Sequence, residues 1–126
     1  MEKLEFQMED LPSLEAGLFK VSGAVDVFSY KEFKATLDQW YKDSPRKNLL
    51  VDMTAVSYVG SSGWSVVFLQ SSIHEQAGGM VVLFGMAERV ERSLNIIMPR
   101  KRHLNVAPDF EGAKALLAQA PTQAAH

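Results

Sequence analysis

Leu4, Phe6 and Met8 alternate with charged or polar neighbours along "KLEFQMED", and this period of two predicts a first strand. Leu18, Phe19, Val21 and Val25 surround a glycine and predict a second. The period then changes. Tyr30, Phe33, Leu37, Trp40 and Tyr41 fall on one stripe of a helix that Asp43 to Lys47, with Pro45, should end. Ser29 begins "SYKE", a capping box in which Ser29 would accept the Glu32 amide while Glu32 reaches back. "NLLVDM" is almost continuously apolar, as expected of a strand covered on both faces. "VSYV" leads from it into "GSSG", where Ser61 or Ser62 can cap a helix that stops at Gly78-Gly79. "MVVLF" predicts another buried strand. Ala87 to Ile97 should be helical, with Val90, Leu94 and Ile97 on one side and Pro99 as its stop. "HLNVA" predicts a last, weaker strand, and Asp109 leads a helix that uses Phe110, Ala113, Leu116 and Leu117.

Strands alternating with helices define an α/β fold: a mostly parallel sheet of about five strands with about four helices packed against it. The first strand is expected antiparallel at an edge. No linker divides the chain, so residues 1–118 are expected to form one domain. Residues 119–126, small, polar and broken by Pro121, are expected to be a flexible tail.

Composition narrows the function. The chain has 126 residues, 47% of them apolar, which suits one globular domain and argues against disorder. A net charge of −2 gives no electrostatic case for nucleic acid. The absence of cysteine removes disulfides, iron–sulfur clusters and thiol catalysis. The acidic, alternating start does not resemble a signal peptide, and no apolar stretch reaches the ~20 residues of a membrane helix. A cytoplasmic protein with no membrane insertion and no cofactor is expected.

The serines of "YVGSSGWS" are the candidate chemistry. The hydrolase elbow G-x-S-x-G fails in both registers: Ser62 as nucleophile puts Trp64 in the last position, and Ser61 puts Val59 in the first. His74, His103 and His126 nominate no triad and no metal site. A P-loop would need a lysine after its second glycine, and none follows Gly63. His74 reads as a helix-dipole partner or a solvent-facing group. What survives is a hydroxyl at a helix N-terminus after a buried strand. A simple cap explains one serine but not two flanked by glycines.

Three segments in order resemble the STAS domain family, and within it the anti-sigma-factor antagonists. "VSGAVD" (21–26) resembles the G-E-L-D strand end, "NLLVDMTAVSYVGSSGW" (48–64) the strand and loop into D-S-S-G-L, and "EQAGGMVVLFGMAERVERSLNI" (75–96) the helix end, double glycine, strand and third helix. The register holds over about residues 15–118. The resemblance implies a non-enzymatic partner-switching protein. Its serine, Ser62 here with Ser61 as second choice, is phosphorylated by an anti-sigma factor that is also a serine kinase of the histidine-kinase-like ATPase type. A serine phosphatase restores it. Asp26, Gly60, Ser61, Ser62, Gly63 and Trp64 occupy the partner-binding positions. The family's leading aspartate is Gly60 here. The alternative is an unphosphorylated STAS binding module of a transport assembly, or a nucleotide or anion sensor.

Two surface features complete the reading. On the helix after the serines, Val66, Leu69, Ile73 and Ala77 share one side, and Trp64, Val67 and Phe68 another. The family buries the second set, leaving Leu69 and Ile73 as an outer apolar patch unless neighbouring helices cover both sides. Arg100-Lys101-Arg102-His103 reads as a solvated approach to the last strand, or a surface for an acidic partner or lipid. Arg89 and Arg92 are expected to pair with Glu88, Glu91 or solvent.

Overall fold

A computed structural model describes residues 3–97 and 104–119. It contains β1 (Glu5–Leu11), a short 3-10 turn (Pro12–Leu14), β2 (Ala16–Val25), α1 (Tyr30–Asp43), β3 (Asn48–Val59), α2 (Ser61–Gln76), β4 (Val81–Phe84), α3 (Glu88–Ile97), β5 (Asn105–Ala107) and α4 (Phe110–Gln119). The five strands form one sheet in the order β1-β2-β3-β4-β5. β1 runs antiparallel to β2 at the edge, and every other pair is parallel. This is the α/β architecture that the alternating pattern predicts. "NLLVDM" and "VSYV" are not separate pieces but one continuous strand.

The apolar runs are continuous because helices pack on both faces. Phe19, Val21, Leu49, Val51, Met53, Val81 and Leu83 face α1, α2 and α3 through Phe33, Leu37, Trp64, Val67, Val90 and Leu94. On the other face, Leu18, Leu50, Val82, Phe84 and Ala107 meet α4 through Ala113, Phe110, Leu116 and Leu117. The α1 stripe docks tightly. The Trp40 indole lies on the bare backbone at Gly17, where an added Cβ would fall 1.6 Å from the ring. Arg46 ties β1 to the α1–β3 connection with two hydrogen bonds of 2.7 Å to the Asp10 carboxylate. Gly78, at φ +85°, turns the chain after α2 in a conformation side chains rarely adopt.

Several local expectations are corrected. Ser29 does not form a capping box: its hydroxyl donates to Ala24 O (2.8 Å) and accepts from the Asp26 amide (3.0 Å). Met8 is 45% exposed on the edge strand, and Ile97 is 40% exposed at the last residue of α3, so neither completes its stripe. Arg92 does pair with Glu88 (2.8 Å), but Arg89 donates from Nε to the Ser57 carbonyl (3.0 Å), fastening α3 to β3. α4 extends through Gln119. The remaining tail, Pro99 and the basic cluster at 100–103 lie outside the described residues.

His74 departs furthest from expectation. It is 2% exposed, neither a solvent group nor a simple dipole partner. Nδ1 lies 2.8 Å from the Lys47 carbonyl and Nε2 lies 3.1 Å from the Gln70 amide nitrogen. The carbonyl can only accept, so Nδ1 carries the proton and Nε2 accepts from Gln70. Tyr41 meets the ring edge-on, with centroids 5.0 Å apart. This neutral imidazole joins α2 to the start of β3. Burial holds its pKa below the usual histidine value. The unfolded chain therefore takes up the proton first on acidification. Stability associated with His74 is present above about pH 6.5 and is lost as the pH falls toward the depressed folded value. Thermal melts from about pH 7.5 to about pH 5 should show wild type losing stability relative to His74→Gln, whereas parallel curves would contradict a buried neutral ring.

Candidate functional site

The site lies at the C-terminal end of the parallel strands, where β2 and β3 release the chain into α1 and α2. Asp26 builds the first turn. Its Oδ1 accepts the backbone amides of Phe28 (2.9 Å) and Ser29 (3.0 Å), an Asx-type arrangement that replaces the expected serine cap. The turn lifts Val27 and Phe28 outward, 65% and 85% exposed.

The second turn is bound to the first. The Gly60 amide donates to the Val25 carbonyl (2.9 Å), and the Gly60 carbonyl accepts from the Trp64 amide (3.0 Å), closing the first turn of α2. Gly60 is itself the cap residue, and neither serine caps with its side chain. Ser61 and Ser62 are the first two residues of the helix. Gly60 has extended backbone angles (φ −90°, ψ −179°), so its conformation does not demand glycine. The nearest atom to a Cβ at this position is the Tyr58 hydroxyl oxygen, 3.1 Å away, so the Tyr58 side chain borders the space where the related aspartate would project.

Gly63 has a different cause. A Cβ there would lie 2.7 Å from Val25 Cγ1 and 2.8 Å from Val59 Cγ1. The first turn of α2 thus presses its backbone onto the paired ends of β2 and β3, which sit opposite each other at Val25 and Val59. Trp64 follows into the core with 0% exposure. Its Nε1 donates to Ser93 Oγ (3.1 Å), which donates to the Val59 carbonyl (3.0 Å). Gly63 and Trp64 are buried supports of the loop.

Ser61 is exposed and Ser62 partly buried. The Ser61 carbonyl accepts from Ser65 Oγ (3.0 Å). The Ser62 hydroxyl makes no hydrogen bond among the described residues. Ser62 lines a groove of about 270 Å³ between α1 and α2, with Tyr30, Lys34, Ser65, Val66 and Leu69. Leu69 is 48% exposed, Ile73 is partly buried and Val66 is 6% exposed, so the outer side of α2 is apolar at Leu69 rather than along its whole length. Val27, Phe28 and Tyr58, the last 54% exposed, form apolar surface at this same end of the sheet. Sequence periodicity missed them. For Val27 and Phe28 the one signal is a pair of large apolar residues in a turn whose only other members are Asp26 and Ser29. No group of acidic or histidine side chains capable of holding a metal occurs among the described residues.

Comparison with known proteins places the fold in a family. The sequence model of the STAS domain family matches residues 5–101, and the chain belongs to that family. Its fold is similar to that of TM1081 from Thermotoga maritima (TM-score 0.79, 13% identity, covering 90% of this chain and 95% of that one). It is also similar to an anti-sigma factor antagonist from Mycobacterium paratuberculosis (0.78, 16%, 93% and 96%). The anti-sigma factor antagonist SpoIIAA resembles it in its unphosphorylated form (0.66, 14%, 93% and 99%) and, from Bacillus, in its phosphorylated form (0.64, 16%, 89% and 99%). A comparison with curated proteins finds no significant match.

The two glycines should respond differently to the same substitution. Gly63→Ala drives a methyl group into Val25 and Val59 and should cost about 1–3 kcal/mol in urea unfolding. Gly60→Ala meets only the movable end of Tyr58 and should change stability by less than about 1 kcal/mol. Equal losses would contradict the separate roles.

Proposed function

We propose that this chain is a non-enzymatic regulator, an anti-sigma-factor antagonist that acts by partner switching and is controlled by phosphorylation of Ser62. The observation that carries the reading is a hydroxyl without a partner among the described residues, on the first turn of a helix, at a surface with exposed apolar side chains. The partner is an anti-sigma factor with a serine kinase of the histidine-kinase-like ATPase type. It docks on Gly60, Ser61 and Ser62 together with Val27, Phe28, Tyr58 and Leu69, while Asp26, Gly63 and Trp64 hold that surface in shape. The γ-phosphoryl group of ATP passes to Ser62 Oγ, with ADP as leaving group and the hydroxyl proton released. A serine phosphatase hydrolyses the ester and restores binding. The setting is the cytoplasm.

Charge explains why such a modification would switch binding without unfolding the domain. A phosphate adds about −1.5 to −2 charge and several acceptor oxygens. The N-terminus of α2 offers unpaired amides and the positive end of the helix dipole, so the folded monomer tolerates it. A docked partner would have to desolvate the same charge. A loss of ~3–4 kcal/mol corresponds to several-hundredfold weaker binding. The existence of a phosphorylated and an unphosphorylated SpoIIAA of this same fold supports the reading.

Incubation with ATP and the cognate ATPase, followed by peptide mass spectrometry, should place one phosphate on Ser62 and none on Ser62→Ala. Titration calorimetry should then show binding by the unmodified protein and at least a hundredfold loss after phosphorylation. Phosphate elsewhere, or equal affinity of the two forms, would overturn the proposal.

A further inference from the structure

The α1–α2 groove contains a cation whose position the switch reading does not explain. Lys34 lines it together with Ser62, and its Nζ lies 2.6 Å from Asp38 Oδ2 one turn along α1. The two side chains of that pair are 45% and 43% exposed. An ion pair in such a setting is weak, because water screens it and two long side chains must be held still. Lysine is also a flexible point charge with three donors, able to turn from one acceptor to another or to serve two at once. Tyr30, one turn before Lys34, and Ser65 of α2 line the same groove.

Resting on the Ser62 reading, we propose that Lys34 is the intramolecular receptor for the Ser62 phosphate, which it draws into the α1–α2 groove in competition with Asp38. A phosphate carries more charge than a carboxylate and offers several strong acceptors, so the ammonium gains by turning toward it. The phosphoryl group then lies between the helices in one orientation, rather than sampling solvent from a single ester bond. Asp38 gives up its cation, so α1 becomes more acidic one turn beyond Lys34 when Ser62 is modified. The switch therefore changes charge at two places, the loop and α1. Lys31 and Lys42 lie on the same helix but do not line the groove.

Phosphoserine installed at position 62 by genetic encoding separates this contact from any kinase. Phosphorus NMR titration of that protein should give a second phosphate pKa about half a unit to one unit below the ordinary value near 6. Lys34→Met should return the midpoint toward about 6, and Asp38→Asn should lower it further. Lys31→Met, which removes the same charge from outside the groove, should move it by less than half as much as Lys34→Met. Amide correlation spectra of the unphosphorylated Lys34→Met protein should match wild type outside the substituted turn. An unchanged midpoint in Lys34→Met, or equal shifts in Lys31→Met and Lys34→Met, would overturn the contact and leave kinase control of Ser62 standing. Absence of any kinase modification would remove that control and leave the contact measurable.

Discussion

The first turn of α2 can approach the sheet only because residue 63 has no side chain. Val25 and Val59, both 1% exposed and opposite each other in the β2–β3 register, leave no room for a Cβ at Gly63. That close approach carries Trp64 into the core and onto Ser93, and it brings the Gly60 amide within reach of the Val25 carbonyl. The loop between β3 and α2 is thereby fixed from three sides: the end of β2, the end of β3 and the middle of α3. Ser61 and Ser62 thus open α2 on a turn held by packing and by backbone hydrogen bonds. A rigid support of this kind suits a surface read by another protein, because little conformational entropy remains to be lost on docking.

Rigidity also shapes the consequence of modifying Ser62. A phosphate on a mobile loop would shift an order–disorder equilibrium. Here the turn is anchored by packing and hydrogen bonds that do not involve the Ser62 hydroxyl, so under the proposed modification added charge would act on the surface and leave the framework in place. The Asp26 turn serves the neighbouring part of that surface. By holding the amides of Phe28 and Ser29, one carboxylate oxygen keeps Val27 and Phe28 raised beside the loop.

The architecture was legible because burial on both faces of β3 and β4 leaves unbroken apolar runs, while α1 buries a single stripe of period 3.6. The position of Ser62 was legible too, since the strand, the glycine–serine turn and the helix are contiguous in sequence. Contacts between distant elements were not. His74 looks like a surface residue near a helix end until the Lys47 carbonyl, 27 residues earlier, is brought beside it. Arg89 has acidic neighbours along its own helix, but β3 offers it a backbone carbonyl instead. The caps failed for the same reason: which oxygen meets which amide at Ser29 and Asp26 depends on how β2 delivers the chain, not on the four-residue pattern. Gly60 and Gly63 look equivalent in the sequence, yet only one sits against the sheet.

The central claim is that charge at Ser62 changes a surface and not a fold. Amide correlation spectra of the protein carrying serine or phosphoserine at position 62 test it directly. Shifts confined to residues 26–38 and 58–69, with the signals of β4, β5 and α4 unmoved, are the predicted result. Shifts spread through the sheet, or broadening of the β2 and β3 signals, would show that the modification disturbs the framework itself and would contradict the account.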